Sequence, residues 1–218
     1  MKTEAVIFDL DGVIVATDDC HYRAWKRLTG EEGIYFDAEI NRRLRGVGRM
    51  DSLAIILEKA ERTYYPEEIK ALADRKNAYY RQFVQELTPD CILPGVMVIL
   101  TELRKKGIKI AVGSSSKNTP LILERIGLKD YFDVVVDGND LTKSKPDPEV
   151  FLLAAERLRV APSHCVVVED ADAGVEAALA AGMRVIGVGT AADNPRVTWR
   201  AATLAVFCPE EFCHLLGC

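Results

Sequence analysis

The strongest constraint on this chain lies near its start, where a short apolar run ends abruptly in two carboxylates and a glycine. Residues 5–8 are Ala-Val-Ile-Phe, and Asp9, Leu10, Asp11 and Gly12 follow. A short apolar run with β-branched residues predicts a buried strand of a parallel sheet. Ligands of open α/β sheets bind just beyond the carboxyl ends of the strands, where Asp9 and Asp11 stand. A strand followed by an ordinary Asp-Gly turn explains the same residues.

Later segments alternate between apolar runs and helical patterns. Further strand candidates lie at 108–112, 134–136, 165–168 and 185–188. Helical patterns lie before and between them at 96–106, 119–126, 148–158 and 173–181, the third of these with Asp147 as its cap and Pro148 as its first residue. This alternation predicts an α/β fold with a doubly wound parallel sheet, that is, a Rossmann-like core. We also expect the last stretch, 204–216, to add a short strand and a helix.

The segment between the first strand and the second strand is too long for a simple connection. A crossover between parallel strands needs only about a dozen residues. Here the gap reaches residue 108 and carries apolar stripes at helical spacing, with helix starts expected at Asp51 and Pro66. We therefore predict an inserted helical cap domain at 15–83, with the α/β core domain formed by 1–14 and 84–218.

Composition limits the partners of the chain. A net charge of −5 offers no general attraction for nucleic acid or for an anionic membrane, so neither is expected. No apolar stretch approaches the ~18 residues that span a bilayer. The cysteines lack the spacing of a zinc site, which favours reduced thiols and a cytoplasmic protein. We also expect a monomer.

Polar side chains gather at the predicted carboxyl ends of four strands. Alternation along the first strand places Asp9 and Asp11 on one side, where like charges repel unless a cation or protons intervene. The other three groups are the run Ser114-Ser115-Ser116-Lys117-Asn118, the lysine of Ser144-Lys145-Pro146, and the adjacent acids Glu169 and Asp170.

Each of these groups allows a functional and a structural interpretation. The hydroxyl and N–H groups of the 114–118 run suit an anion, although an ordinary helix cap uses the same residues. Lys145 is either a ligand held by the stiff Pro146 or a solvated loop lysine. Glu169 and Asp170 are hard oxygen donors of the kind that Mg²⁺ takes, whereas Asp170 alone also suits a helix cap.

Taken in order, these residues resemble the motifs of the haloacid dehalogenase superfamily of phosphoryl-transfer enzymes. The resemblance implies that Asp9 is a nucleophile forming an aspartyl phosphate and that Asp11 is the general acid/base. It implies that Ser114 and Lys145 bind the transferring phosphoryl group. It further implies a Mg²⁺ cofactor surrounded by Asp9, the carbonyl of Asp11, Glu169 and Asp170.

The insert resembles the helical cap of the β-phosphoglucomutase-like group. Three segments carry this similarity: residues 21–26 with His21 and Trp25, residues 45–53 with Gly46 and Arg49, and residues 75–77 with Lys76. The resemblance implies that Arg49 grips the distal phosphate of a sugar bisphosphate together with Ser116, Lys117 and Asn118. It implies that His21 and Lys76 orient Asp11 and the sugar, with Thr17, Trp25 and Gly46 as further cap residues.

The cap residues also have structural interpretations. Lys76 falls on an otherwise apolar stripe, so it is expected to point inward and to need a partner. A lone histidine such as His21 is more often a satisfied core residue, and Arg49 can be a solvated surface charge. Departures from the family pattern are Ala16, where an aspartate is usual, and Gly48 and Ala171, where serine is more frequent; Ala16 lies at the predicted hinge of the cap.

Three functions compete on these observations. The first is interconversion of β-glucose 1-phosphate and glucose 6-phosphate through a bound sugar bisphosphate. The second is a Mg²⁺-dependent sugar-phosphate phosphatase, in which water replaces the sugar as acceptor. The third is a non-catalytic module that is phosphorylated on Asp9 or binds a ligand. Asp11 argues against the third function, since a stable phospho-switch should not position an acid/base beside its own phosphate. Arg49, His21 and Lys76 argue against the second.

Overall fold

The computed structural model describes residues 2–44 and 47–217 of the chain. Within these ranges, six parallel strands form one sheet in the order β3-β2-β1-β4-β5-β6. The strands are β1 (Ala5–Phe8), β2 (Lys109–Gly113), β3 (Val134–Val136), β4 (Cys165–Glu169), β5 (Arg184–Val188) and β6 (Trp199–Ala201). The predicted doubly wound α/β core is therefore confirmed.

The first strand lies in the middle of this sheet. Phe8 pairs with Val112 of β2 on one side and with Val168 of β4 on the other. All of β1 is buried, which explains its unbroken apolar sequence. The strand order reverses at β1, and in such sheets the ligand crevice opens at the carboxyl ends around that point. Residues that follow β1, β2 and β4 therefore share one edge.

The chain divides into two compact units. The core unit comprises residues 1–16 and 88–218, and the helical unit comprises 17–87. The helical unit begins two residues later and ends four residues later than the expected insert at 15–83. Its helices are α1 (Asp18–Glu32), α2 (Ala38–Arg43), α3 (Arg49–Leu57) and α4 (Pro66–Val84). The core unit contributes α5 (Val96–Lys105), α6 (Thr119–Arg125), α7 (Glu149–Leu158), α8 (Asp172–Ala180) and α9 (Pro209–Leu216).

Apolar stripes hold the helical unit together. Trp25 and Leu28 of α1 pack with Leu53 of α3 and Leu72 of α4 in one buried cluster. Arg75 of α4 forms a salt bridge with Glu32 at the end of α1, and this salt bridge links the two helices outside their apolar contact. Burial of such apolar side chains contributes about 1.5–3 kcal/mol each, so the stripes dominate the stability of this unit.

Two helix starts differ from the sequence expectation. Helix α3 begins at Arg49, two residues before the expected Asp51, because Gly48 supplies the extended cap conformation. Helix α7 begins at Glu149 with Pro148 at the cap position, one residue later than expected. Asp147 still serves the first turn, since its Oδ1 accepts a hydrogen bond of 3.0 Å from the Glu149 N–H. The start of α4 at Pro66 is confirmed.

The strand expected within 204–216 was wrong. Leu204–Val206 forms a 3-10 turn in which only Leu204 is buried, and the Thr203 hydroxyl accepts the Ala205 N–H at 3.3 Å. A missed strand lies just before it at β6, which is three residues long and half exposed at the edge of the sheet. The expected helix is present as α9. Among the described residues, no helix combines the length and the apolar character needed to cross a membrane.

Candidate active site

The turn after β1 places two aspartates at the carboxyl end of the central strand. Asp9 is buried and its N–H continues the sheet, donating to the Val168 carbonyl at 2.9 Å. Asp11 is half-buried. Gly12 has φ +81°, and a Cβ at this position would lie 2.2 Å from the Asp170 carboxylate. Glycine is therefore required here both for the backbone conformation and for the close approach of Asp170.

Three carboxylates meet at the ends of β1 and β4. One oxygen each from Asp9, Glu169 and Asp170 lies within 4.8 Å of the others. The first turn of α8 closes over this group, since a Cβ on Gly174 would meet the Glu169 carboxyl at 2.0 Å. The structure thus brings together three of the four expected metal ligands by their side chains. Participation of the Asp11 carbonyl stays a prediction.

Lys145 lies within the same cluster. Its Nζ donates to Asp9 Oδ1 at 2.5 Å and to Glu169 Oε2 at 2.8 Å. The side chain is only 6% exposed, which argues against the alternative of a solvated loop lysine. The ammonium also lies 4.8 Å from the centre of the Phe151 ring on α7. Phe151 was not predicted as a site residue. Its position on the apolar face of the helix that follows Lys145 indicated that it could lie close to this lysine.

The electrostatics of the cluster favour an added cation. Burial raises the pKa of Glu169 to about 7, with the Asp9 charge adding to the effect. Burial, Asp9 and Glu169 raise the pKa of Asp170 to about 8. Burial alone lowers the pKa of Lys145, but the charges of Asp9 and Glu169 outweigh it and the net pKa is raised. The cluster thus holds one ammonium and three carboxylates, two of them buried and one half-buried, and hard oxygen donors with excess negative charge fit Mg²⁺.

The end of β2 leads into a turn rich in hydroxyls. Ser114 is buried, and its Oγ accepts the Ser116 N–H at 3.1 Å. Ser116 Oγ accepts the Asn118 N–H at 3.2 Å. A hydroxyl that accepts still has a proton to donate, so both serines can bind an anion. Asn118 is buried at the cap position of α6 without a side-chain capping bond, and Lys117 is exposed. Asn118 is thus the cap residue of α6 by position, its carbonyl accepts the Ile122 N–H at 3.0 Å, and the helix-cap interpretation holds beside the anion-binding one.

The helical unit holds a second polar cluster, around Lys76. This buried lysine lies 2.9 Å from His21 Nδ1, and its Nζ is 4.7 Å from the ring centres of both Trp25 and Tyr80. Burial and the Lys76 charge hold the pKa of His21 well below 6.5, so the ring is a neutral acceptor. Lys76 points inward as its stripe predicted. Tyr80 was missed, although it lies one turn beyond Lys76 on the same helix.

Three further residues of the helical unit, Thr17, Arg49 and Gly46, were expected to contact the substrate. Thr17 is buried at the cap position of α1, where its carbonyl accepts the His21 N–H at 3.0 Å. Arg49 is half-buried as the first residue of α3. Gly46 lies outside the described residues. The roles expected for these residues toward a substrate stay predictions.

Comparison with known proteins connects this site to a family. The haloacid dehalogenase-like hydrolase family matches residues 3–182. A β-phosphoglucomutase of Bacillus subtilis is 45% identical over 188 residues, covering 85% of this chain and 83% of its own. A phosphorylated carbohydrates phosphatase of Thermotoga maritima is 35% identical over 217 residues, covering 98% of both chains. The crystal structure of β-phosphoglucomutase from Clostridium difficile superimposes with a TM-score of 0.90 at 37% identity, covering 97% of this chain and 96% of its own.

Proposed function

Because the chain belongs to the haloacid dehalogenase-like hydrolase family, we propose that it is a Mg²⁺-dependent phosphomutase. Its proposed reaction interconverts β-D-glucose 1-phosphate and glucose 6-phosphate through an aspartyl phosphate and a bound sugar bisphosphate. The observation that carries this proposal is the position of the buried Lys145 ammonium. It donates hydrogen bonds to the carboxylates of both Asp9 and Glu169. Family membership itself supports an enzyme over a non-catalytic module.

Asp9 is the proposed nucleophile. Its carboxylate oxygen forms a bond to one phosphorus of the bound sugar bisphosphate while the bond from that phosphorus to the sugar oxygen breaks, which leaves a sugar monophosphate. Asp11, two residues further on and half-buried, donates a proton to that leaving oxygen. In the complementary step the free hydroxyl of glucose 1-phosphate takes the phosphoryl group from Asp9 and gives its proton to Asp11, which frees the Asp9 carboxylate and forms the bisphosphate. Transfer of the other phosphoryl group of the bisphosphate to Asp9 then leaves glucose 6-phosphate.

Lys145 and Ser114 are the proposed ligands of the transferring phosphoryl group. Phosphoryl transfer depends mainly on neutralising the negative charge of the phosphoryl oxygens and on placing the attacking and leaving oxygens in line. Lys145 already contacts an oxygen of Asp9, so its ammonium is placed beside the new bond. Ser114 is held by the turn that follows β2, with its hydroxyl proton available to a phosphoryl oxygen.

The carboxylates of Asp9, Glu169 and Asp170, with the Asp11 carbonyl, are the proposed ligands of Mg²⁺. When bound, the cation supplies positive charge to the phosphoryl oxygens and offsets the repulsion among the carboxylates. Glu169 also accepts the N–H groups of Asp170 and Ala171, both at 3.2 Å, which fixes its orientation before any ion arrives.

The residues of the helical unit favour a mutase over a phosphatase. Lys76, neutral His21 and Arg49 are proposed to bind the sugar and its second phosphate, with Thr17, Trp25 and Gly46 shaping that surface and Ser116, Lys117 and Asn118 completing the phosphate grip. A hydrolase of the same mechanism is the second candidate, because the relative from Thermotoga maritima is a phosphatase of phosphorylated carbohydrates.

A product assay separates the two candidates. The protein is supplied with β-glucose 1-phosphate, Mg²⁺ and a trace of β-glucose 1,6-bisphosphate, and glucose 6-phosphate is measured against inorganic phosphate. The mutase proposal expects glucose 6-phosphate as the main product and a rate that rises with the bisphosphate. Release of inorganic phosphate alone, at a rate independent of the bisphosphate, would favour the hydrolase.

A further inference from the structure

The loop that carries Lys145 is closed by a single carboxylate at its base. Glu149, the first residue of α7, accepts the Lys143 N–H at 2.7 Å. Its two oxygens also accept the Thr142 N–H at 3.1 Å and the Thr142 hydroxyl at 3.0 Å. The backbone N–H donors of Lys143 and Thr142 lower the pKa of Glu149, so the carboxylate is charged when it makes these bonds.

Lys145 lies inside this closed loop. A second, inner closure joins the Asp147 N–H to the Ser144 carbonyl at 3.1 Å. By contrast, the direct tie between the Lys145 backbone and the neighbouring turn is long, since its N–H is 3.5 Å from Ser115 Oγ. The conformation of the loop therefore depends mainly on the bonds to Glu149 and on the inner turn that they enclose.

Helix α7 also touches the other end of the lysine. Phe151, two residues after Glu149, is buried in the core beneath the Lys145 ammonium. One turn of a packed helix thus fixes both the backbone of the loop, through Glu149, and the position of Nζ, through Phe151. A lysine side chain has about 2 kcal/mol of rotamer entropy, so a fixed backbone matters for placing its charge.

We propose that Glu149 is a positioning residue that sets the catalytic placement of Lys145 by closing the 142–149 loop. This inference rests on the proposed function, because it assumes that Lys145 binds the transferring phosphoryl group. Glu149 does not itself touch the reacting atoms. A displacement of about 1 Å in a catalytic group can lower a rate by up to roughly 100-fold, and we expect the smaller loss of about tenfold when the loop is loosened but still tethered.

Two substitutions of Glu149 and one matched control define the experiment. Glu149→Gln keeps the size of the side chain but leaves one acceptor oxygen for three donors. Glu149→Asp keeps the charge at the start of the helix but is one methylene too short to reach the loop. Glu156→Gln is the control, because Glu156 is an exposed acid on the same helix, about two turns beyond Glu149. Each variant is made in the native protein and in a Lys145→Ala background.

The readouts are the kcat of p-nitrophenyl phosphate hydrolysis with Mg²⁺ and the affinity for orthovanadate measured by calorimetry. In the native background we expect Glu149→Gln and Glu149→Asp to lower both by about tenfold, with Glu156→Gln unchanged. In the Lys145→Ala background the same substitutions should change either quantity by less than about twofold, because the group on which they act is gone.

Three results would overturn the inference. Equal losses in both backgrounds would mean that Glu149 supports only the fold, and no loss in either would mean that Lys145 needs no such support. In both cases the proposed function stands as long as Lys145→Ala itself lowers hydrolysis. If Lys145→Ala has full activity, the assigned role of Lys145 fails together with this inference.

Discussion

Replacing Lys145 by alanine tests the electrostatics of the strand-end cluster, since it removes the ammonium and leaves the carboxylates. Two charge-assisted hydrogen bonds are lost, at 2.5 Å to Asp9 and 2.8 Å to Glu169. Removing one partner of a buried ion pair typically destabilises a protein by about 3–5 kcal/mol. The pKa of Glu169 is already about 7, so this carboxyl can take up a proton and relieve part of the loss. We therefore expect a destabilisation near the lower end, about 3 kcal/mol, without metal.

Magnesium should reverse much of this effect. The folded variant presents three carboxylates without a competing ammonium, so it should bind Mg²⁺ more tightly than wild type. In saturating Mg²⁺ a roughly 100-fold lower Kd for the variant would narrow the gap in the free energy of unfolding by about 2.7 kcal/mol. The assay is urea unfolding of both proteins, first in EDTA and then in saturating Mg²⁺. The gap between wild type and variant should be large in EDTA and smaller in Mg²⁺.

Lys143→Ala is the matched control, two residues away on the same loop. Its side chain is 71% exposed and its pair with Asp147 spans 3.4 Å, so the loss should stay within about 1 kcal/mol in both buffers. A Lys145→Ala variant as stable as wild type in EDTA, or a lack of stabilisation of both proteins by Mg²⁺, would rule out this electrostatic role of Lys145.

Three further substitutions test the remaining roles. Asp11→Ala should lower turnover of β-glucose 1-phosphate by about 10²–10⁴-fold, the usual contribution of general acid/base catalysis, and undiminished turnover would make Asp11 a turn residue only. Arg49→Ala should reduce isomerisation by about 10²-fold while sparing aryl phosphate hydrolysis, and an equal fall in both would show that Arg49 supports the fold. The pKa of His21 is depressed in the folded protein. As the pH falls below 6.5, His21 therefore becomes protonated in the unfolded chain but stays neutral in the folded one. The free energy of unfolding should therefore drop by up to about 1.4 kcal/mol per pH unit below that point, a slope that His21→Gln should lack in urea titrations at several pH values.

Much of the core was predictable because its strands are buried on both faces and leave continuous apolar runs in the sequence. The three-residue β6 gave no such signal, since Trp199 and Arg200 are not buried at the sheet edge. Residues 204–206 were wrongly predicted as part of a strand. They are apolar, but they lie in a turn that packs against Gly95.

The site was predictable to the level of its motifs but not of its contacts. The proximity of the acids that follow β1 and β4 was predictable, because the carboxyl ends of parallel strands lie at the same edge of the sheet. The bonds from Lys145 to Asp9 and Glu169 join residues far apart in sequence, and a lysine on a loop gives no local sign of burial. In the same way, the apolar stripe of α4 predicted that Lys76 needs a partner, but not that His21 is that partner.

The mechanism proposed here requires transfer of phosphate to Asp9, and this transfer can be detected directly. The protein is mixed with Mg²⁺ and β-glucose 1,6-bisphosphate carrying a radioactive phosphate, quenched in acid, digested, and analysed by mass spectrometry for the peptide that contains Asp9. We expect label on Asp9 in the wild-type protein, and neither label nor turnover in a folded Asp9→Asn variant, whose amide cannot form the acyl phosphate. Full activity of that variant, or label on another residue, would contradict a mechanism through Asp9.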